Sequence, residues 1–496
     1  MNRPTAIYAA AQVRALDSFE TEKRRVPGFT LMTRAAEGAL KLLRGRWPQA
    51  RRVAVVCGAG NNGGDGYVLA RLAQSTGLEA LVLAATPPDK LTGDARRAQE
   101  EWLAAGGHAH PFAADALSGS DVIVDGLLGI GLKGAPRPET LAVIRAINAA
   151  KRPVLALDIP SGVDADTGVV HEAAVRADIT LSFVGFKSGL FLGAGPEYAG
   201  VVLLDDLGVV APALPQFVPL MRRIDEGEIA ASLPRRHREA HKGTSGRVLV
   251  VGGGGGMPGA LRLAGLAALR VGAGLVSVAG AAENLVSVTA TNPELIYLPM
   301  SSATSLEDPI RGADVLAIGP GLGQGDWAQR LWTQARSVPG VPAIVDADAL
   351  NLLALSPVKL PADWIITPHP GEAARLLGVQ VSEVQRDRLG AVRELVARYG
   401  AVAVLKGAGT LVAGAADGGT EVFICERGNP GMATAGMGDV LTGVIAGLRA
   451  QIPDSARAAR VGVLVHALAG DSAAQGGQRG LLASDVLSEL RGWVNP

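Results

Sequence analysis

Cysteine and aromatic residues are scarce in this chain. Among its 496 residues are 2 Cys, 8 Phe, 5 Tyr and 6 Trp. Cys57 and Cys425 lie far apart and have no paired spacing, which argues against a disulfide framework and a cysteine-based zinc site. The N-terminal sequence has no basic segment followed by an apolar stretch, so it predicts no signal peptide. We therefore expect a cytoplasmic protein.

Net charge and long apolar runs are lacking as well. The 47 Lys and Arg residues balance 47 Asp and Glu residues, which argues against a polybasic surface for nucleic acid or lipid. The longest uncharged run, residues 207–221, has 15 residues and three prolines, whereas a membrane-spanning helix needs about 20 apolar residues. We predict no nucleic-acid partner and no membrane partner.

Glycine, in contrast, is abundant. With 65 Gly, its share of about 13% is nearly twice the usual value of about 7%. Short apolar segments alternate with helical patterns, which predicts parallel sheets covered by helices on both faces. The alternation stops over residues 207–240 and then restarts. We predict two α/β domains, residues 1–220 and residues 221–496.

Three predicted strand ends of the first half carry polar side chains. The first predicted strand runs into the turn GAGNNGGDG, where glycine permits left-handed backbone angles and close approach to a ligand. A plain connection is the alternative, but Asn61, Asn62 and Asp65 in the same turn favour a site. VIVDGLLGIGLKG and VLALDIPSGVDADTG add Asp125 and Ser161 at the same sheet edge, where open sheets bind ligands. With Asn62 these two offer a cation one amide, one carboxylate and one hydroxyl, although each residue alone also suits a cap or turn.

These motifs resemble those of the NAD(P)H-hydrate epimerases over essentially the whole first half. The resemblance implies a Rossmann-like three-layer α/β/α fold, K⁺ at Asn62, Asp125 and Ser161, and a catalytic Asp158 that works as acid and base. Ile130 departs from the family, in which threonine is expected. The hydrated dinucleotide is expected at Asn61, Asn62, Gly63, Gly64, Asp65, Gly129, Ile130, Gly131, Leu132, Lys133, Gly134, Ala135 and Asp158.

The second half places glycine-rich turns after its own predicted strands. In GNPGMATAGMGD, the residues Gly436, Gly438 and Asp439 precede an apolar helical run. Backbone N–H groups of such a turn form an anion hole. Asp439 is then placed to accept a proton from a hydroxyl that attacks a phosphoryl group, or else to act as a helix N-cap.

Two further segments, TPHPGEA and LKGAGT, bring candidate ligands to strand ends. We expect the turn at Lys406 to hold nucleotide phosphate, since its glycines permit close approach. His369 lies between two prolines, which fix its backbone, and it is either a ligand or a structural residue. Glu372 either orients Mg²⁺ through water or caps the helix that follows.

As a set, the motifs of the second half resemble those of the ADP/ATP-dependent NAD(P)H-hydrate dehydratases. The resemblance implies a ribokinase-like α/β fold, a catalytic Asp439, Mg²⁺, and ADP or ATP as co-substrate. Ala435 and Met437 depart from the family pattern beside the anion hole. The hydrated cofactor is expected at Ala260, Gly323, His369 and Asp439, and the nucleotide at Lys406, Gly407, Ala408, Gly409, Thr410 and Gly438.

Together the resemblances predict a bifunctional enzyme that repairs hydrated NADH and NADPH. The first domain would interconvert the R and S hydrates, and the second would dehydrate the S hydrate with ADP or ATP. The partners expected are these small molecules and further copies of the chain in a homo-oligomer. Two alternatives stay open: a small-molecule kinase with a nucleotide-sensing first half, and a first half that binds or assembles without turnover.

Overall fold

The chain divides into two compact units, Met1–Met221 and Arg222–Pro496. The structure is a computed structural model that describes residues 5–132, 134–416 and 419–495, so the candidate ligand Lys133 lies outside the described residues. Among the described helices, none is both long enough and apolar enough to cross a membrane.

The first unit is built on a parallel sheet of seven strands. In spatial order they are Ala109–Pro111, Glu79–Ala84, Arg52–Cys57, Val122–Gly126, Val154–Leu157, Ile179–Phe183 and Val201–Asp205. The chain builds outward from Arg52–Cys57 in one direction and then from Val122–Gly126 in the other. This is the doubly wound order of Rossmann-like folds, whose ligands bind where the direction reverses. The predicted Rossmann-like sheet is thereby confirmed.

Helices cover both faces of this sheet and create two cores. Val53 and Val55 point into one core, whereas Ala54 and Val56 point into the other, as the two-residue period of a strand requires. All four side chains are fully buried, which explains the unbroken apolar runs of the sequence. The helices of the unit are Ala10–Glu22, Gly28–Arg46, Asn61–Ser75, Gly93–Ala104, Pro138–Ala149 and Gly195–Ala199.

The glycines after the first strand of this sheet serve close packing. The helix begins at Asn61, six residues earlier than the sequence predicts, and none of the glycines at 58, 60, 63, 64 and 66 has a positive φ. A Cβ on Gly58 would lie 1.9 Å from the carbonyl oxygen of Leu127, and one on Gly63 would lie 2.1 Å from that of Gly58. The expectation of left-handed backbone angles is therefore wrong for these glycines. The close approach that they permit is to the backbone of neighbouring segments.

The second unit is built on a larger mixed sheet. Its strands are, in spatial order, Ile296–Met300, Leu275–Ala281, Arg247–Val251, Val315–Ile318, Ala343–Val345, Ile365–Ile366, Val402–Leu405, Thr410–Ala416 and Gly419–Cys425. The pairs up to Val402–Leu405 are parallel, and the last two are antiparallel. The sequence predicts the interior strands within a few residues but misses the edge strand Ile296–Met300, because its exposed and proline-containing pattern is a weak signal.

Two long apolar helices of this unit, Pro258–Arg270 and Met437–Arg449, pack with their backbones in contact. A Cβ on Gly443 would lie 2.0 Å from the carbonyl oxygen of Ala264, so only glycine fits there.

The predicted single helix over residues 382–399 is two helices that break at Asp387, whose side chain caps the second. The helices of the unit are Gly227–Ser232, Pro258–Arg270, Leu285–Thr289, Glu307–Arg311, Asp326–Ser337, Ala347–Leu355, Pro370–Leu377, Val381–Arg386, Arg388–Tyr399, Met437–Arg449, Ser455–Ala473 and Ala483–Trp493.

The substitution Gly63→Ala tests the packing role of the first glycine turn. Because the new methyl group meets the carbonyl of Gly58, we expect the free energy of unfolding to fall by about 1–3 kcal/mol. Gly60→Ala is the matched control, since a Cβ there has no neighbour within 4 Å and its φ is −90°. Urea unfolding measures both, and equal stability of the two variants would contradict the packing role.

Candidate active sites

A cavity of about 1400 Å³ opens at the reversal point of the first sheet. It is lined by most of the predicted dinucleotide ligands, namely Asn61, Asn62, Asp65, Gly129, Ile130, Gly131, Leu132, Ala135 and Asp158. Gly63 and Gly64 are buried behind it, while Gly134 is exposed with a left-handed φ of 72°. Ile130 offers its carbonyl to Arg14 at 3.1 Å and packs its side chain partly on the core. Its departure from threonine therefore leaves the backbone of this loop intact.

Asp125, Ser161 and Asn62 meet beside this cavity, as the sequence predicts. The Ser161 hydroxyl donates to Asp125 Oδ1 at 2.6 Å, and the Ser161 amide donates to Oδ2 at 2.8 Å. The Asn62 Nδ2 group donates to the carbonyl of Leu128 at 2.9 Å, and the Leu128 amide donates to the Ser161 hydroxyl at 2.8 Å. Asn62 Oδ1 is buried without a hydrogen-bond donor in the described part of the chain.

The Asp125 carboxylate is fully buried and has no cationic partner among the described residues. Burial raises its pKa, although hydrogen bonds from Ser161 and Leu127 oppose the rise. A buried carboxylate and an orphaned buried amide oxygen side by side are a pair of groups that a cation would satisfy.

Asp158 lies on the cavity wall and pairs with a lysine that the sequence reasoning missed. The fully buried Lys187 ammonium donates to Asp158 Oδ1 and, at 2.7 Å, to the carbonyl of Phe183. The Phe183 amide also donates to Asp158 Oδ1 at 3.1 Å. Asp158 has a φ of 68°, in a region that costs non-glycine residues energy, and such strain concentrates at functional sites. A lysine 29 residues from its partner gives no local motif.

Two more carboxyl groups face the same cavity. Burial raises the pKa of Asp17 to about 6, with Lys187 opposing and Asp158 adding to the rise. Burial also raises the pKa of Asp65, and the charges of Asp158 and Asp17 add to it. The cavity thus combines one buried cation with three carboxyl groups, those of Asp17, Asp65 and Asp158.

In the second unit, the helix Met437–Arg449 begins at the predicted anion hole. Its N-cap is Gly436, with a left-handed φ of 89°, so the N-cap role weighed for Asp439 is wrong. Asp439 is the third helical residue and accepts no hydrogen bond from the described residues. Burial and the charge of Asp346 raise its pKa to about 7. Met437 is buried in the core, so its departure from the family pattern leaves the N–H groups of the turn in place.

Behind this turn lies a buried ion pair. Lys406 Nζ donates to Asp346 Oδ1 at 2.7 Å and lies 3.7 Å from Glu372 Oε2. Hydroxyl groups complete the shell of Asp346, from Thr367 at 2.8 Å and from Thr442 at 2.7 Å. Burial lowers the pKa of Lys406, but the two carboxylates outweigh it and the pKa lies above its ordinary value.

The ion pair engages the lysine of the predicted nucleotide turn. Lys406 Nζ is bound by Asp346, so its charge is balanced within the protein. A Cβ on Gly438 would lie 3.5 Å from Lys406 Nζ, an ordinary contact distance, so the predicted anion hole lies next to the pair. Asp346 follows a buried strand in VDADALNLL, and this position was the signal that could have singled it out.

His369 is the N-cap of the helix Pro370–Leu377. Its Nδ1 accepts the Gly371 amide at 2.9 Å, and Glu372 Oε2 accepts the His369 amide at 2.7 Å in a capping box. This capping places the ring proton on Nε2, and burial with the charge of Lys406 lowers the pKa of the ring. The ring is half-exposed, and its Nε2 lies 3.5 Å from Glu372 Oε1.

The remaining predicted residues of this unit lie on neighbouring turns. Ala260 contacts the turn at Gly321, and the Gly323 amide donates to Asp348 at 2.8 Å. Gly407 and Gly409 have left-handed φ values of 137° and 67°, a conformation that favours glycine. Among the described residues, no group of three or more His, Cys, Asp or Glu side chains is arranged to hold a metal ion.

Comparison with known proteins identifies the family. A family model described as NAD(P)H-hydrate dehydratase matches residues 248–491, and one described as YjeF-related protein N-terminus matches residues 28–189. The bifunctional NAD(P)H-hydrate repair enzyme Nnr of Coxiella burnetii is 45% identical over 99% of this chain and 100% of its own. This chain belongs to the bifunctional NAD(P)H-hydrate repair enzyme family. The family member from Escherichia coli is 42% identical over 99% of this chain and 95% of its own.

A solved structure resembles the second unit. A ribokinase-like superfamily protein from Enterococcus faecalis is 28% identical, with a TM-score of 0.52, and covers 57% of this chain and 98% of its own. The predicted ribokinase-like fold of the second unit is thereby confirmed.

The raised pKa of Asp439 gives a test of its role as a proton acceptor. Because only the carboxylate accepts a proton, we expect kcat/KM for dehydration of the hydrate to rise with pH up to about 7 and then level off. Asp439→Asn should lower the rate by about 10²- to 10⁴-fold and abolish this rise. NADH absorbance measures the rate. A pH-independent parent enzyme, or near-normal dehydration by the variant, would exclude this role.

Proposed function

We propose that the two units perform successive steps in the repair of hydrated NADH and NADPH. The first unit interconverts the R and S hydrates, and the second dehydrates the S hydrate with ADP or ATP. The observation that carries the proposal is Asp439, a half-buried carboxylate that accepts no hydrogen bond from the described residues, at the start of a helix whose N–H groups suit a phosphoryl group. Family membership over the whole chain supports the pairing of the two activities.

In the first unit, Asp158 is the acid and base that works on the hydrated ring. It lines a cavity large enough for a dinucleotide, and Lys187 and the Phe183 amide fix its carboxylate. Epimerisation breaks and remakes a bond at the hydroxyl-bearing carbon, so a fixed carboxylate beside the ring can move the proton and stabilise developing positive charge.

In the second unit, Asp439 accepts the proton of the ring hydroxyl as that oxygen takes a phosphoryl group. The N–H groups of the turn stabilise the charge on the transferred phosphoryl group while the nucleotide departs shortened by one phosphate. The C–O bond to the phosphate then breaks as the neighbouring ring carbon loses a proton to solvent, which forms the ring double bond and releases inorganic phosphate. Lys406 and Asp346 act behind the turn and hold it in place. Mg²⁺ would arrive with the nucleotide phosphates, whose charge it would neutralise.

K⁺ fits the first unit beside the cavity. Asn62 Oδ1, Ser161 Oγ and the Asp125 carboxylate would hold it, since these oxygens include one orphaned acceptor and one uncompensated charge. The ion would balance the Asp125 charge and the dinucleotide phosphates. The site offers a single carboxylate, which suits K⁺ better than Mg²⁺ or Ca²⁺, since those ions favour more carboxylate ligands or retained water.

A single assay separates this proposal from its two rivals. Purified protein receives mixed hydrate epimers, with and without ADP and Mg²⁺, while chromatography follows each epimer and absorbance follows NADH. The proposal expects both epimers to be consumed and NADH to appear only with the nucleotide. A stable phosphorylated alcohol would favour a small-molecule kinase, and epimers that persist separately would favour a first unit without turnover.

Asp158→Asn should separate the two steps within one chain. Because the second unit is unchanged, we expect one epimer to disappear with ADP and the other to persist at the rate of a protein-free control. The amide keeps the shape of the carboxylate but neither accepts the proton nor balances Lys187. Consumption of both epimers at the parent rate would remove Asp158 from the mechanism.

Replacement of K⁺ by a bulky organic cation at constant ionic strength tests the cation site. We expect a lower unfolding temperature of the first unit and slower epimerisation, because the Asp125 charge is again uncompensated. Asp125→Asn should abolish the difference between the two cations. Identical unfolding curves and rates in both salts would show that the three oxygens hold no ion.

A homo-oligomer and a cytoplasmic location stay predictions. The small molecules proposed as partners are the two hydrates and the adenine nucleotide. Gel filtration would test the homo-oligomer, and cell fractionation would test the cytoplasmic location.

A further inference from the structure

A buried guanidinium lies under the loop that joins the strands Val402–Leu405 and Thr410–Ala416. Arg388 Nη2 donates to the carbonyls of Gly409 and Leu405 at 3.1 and 3.3 Å, and both Nη atoms lie 3.4 Å from the carbonyl oxygen of Lys406. The Thr410 hydroxyl donates to the carbonyl of Gly407 at 2.9 Å. The acceptors of the loop are thus largely occupied from within the protein.

The donors of the same loop are free. The backbone N–H groups of Gly407, Ala408 and Gly409 reach no acceptor among the described residues. Gly407 and Ala408 are exposed to solvent, and Gly407 and Gly409 have the left-handed φ values that are common in anion-binding turns. Such a turn binds anions through its N–H groups.

The charge of Arg388 has no counterpart within the described chain. The residue is 7% exposed, no described carboxylate lies within ion-pair distance, and its Nε has no hydrogen-bond partner. Asp387, its neighbour in sequence, instead accepts the Gly390 amide at 2.8 Å. Burial lowers the pKa of Arg388 to about 10, so the group stays charged at neutral pH. A buried charge of this kind is costly unless a ligand or another group balances it.

The lysine of the loop cannot take this role. Lys406 Nζ is bound by Asp346, and its charge is balanced there. A Cβ on Gly407 would lie 2.8 Å from Arg388 Nη1, so the glycine allows the guanidinium to approach the loop. Arg388 is therefore the cation whose charge is available to an anion on this turn.

We infer that Arg388 positions the nucleotide loop and supplies the positive charge that balances a nucleotide phosphate on the N–H groups of Gly407, Ala408 and Gly409. The inference rests on the proposed use of ADP or ATP at this loop. Arg388 acts through the loop, so it is a positioning residue. The ligand chemistry it selects is the phosphate rather than the nucleoside.

The test compares ADP with adenosine by calorimetric titration of the full chain. For Arg388→Gln we expect ADP affinity to fall by about 10- to 100-fold, while adenosine affinity stays within about threefold. Arg388→Lys should recover part of the ADP affinity, because it keeps the charge but loses the planar fork. Arg398→Gln is the matched control, since it removes an exposed guanidinium from the far end of the same helix and should bind ADP as the parent does.

Thermal unfolding of the same preparations reports whether the second unit of each variant is folded, and epimerisation reports the same for the first unit. If Arg388→Gln does not fold, Arg388→Lys decides the question through its ratio of ADP to adenosine affinity. Parent-like ADP affinity in the Gln variant, or an equal loss of ADP and adenosine in the folded variants, would overturn the inference. Parent protein that binds no ADP would instead overturn the proposed nucleotide site, which is a distinct result.

Discussion

Close contact between backbone segments at the ends of parallel strands is the constraint on which both sites depend. A Cβ on Gly58 would lie 1.9 Å from the Leu127 carbonyl oxygen, and one on Gly319 would lie 1.8 Å from that of Asp346. Only glycine permits these approaches. Because neighbouring turns come so near, polar groups from different strands meet within hydrogen-bond distance. The high glycine content therefore follows mainly from packing at the sheet edges.

Buried charge is treated differently at the two sheet edges. Asp346 is balanced within the protein by Lys406 and by two hydroxyl groups, so this pair needs no ligand to compensate its charge. Asp125 and Arg388 are buried without a charged partner in the described chain. Since uncompensated buried charge is costly, each of these two groups marks a place where a small ion or a phosphate would add stability on binding.

Several candidate residues were accessible from sequence because their signals are local. Asn62, Asp125, Ser161 and Asp439 each follow a buried strand or a glycine turn, and the edge of a parallel sheet collects such residues. Lys187 gave no such signal, because its partner Asp158 is 29 residues away and meets it only in the folded sheet. Lys406 was found from its own glycine turn, but its pairing with Asp346, 60 residues away, gave no local signal.

The sequence by itself determined the two α/β units, the order of their elements and the turns at which polar groups collect, because apolar period and glycine position are local properties. Tertiary structure alone decided what each group touches. It moved the start of the helix that follows the strand Arg52–Cys57 back to Asn61, and it paired Lys406 with Asp346. It also placed Arg388 beneath the loop between the strands Val402–Leu405 and Thr410–Ala416. The reason is that burial and charge pairing depend on distances between segments far apart in the chain.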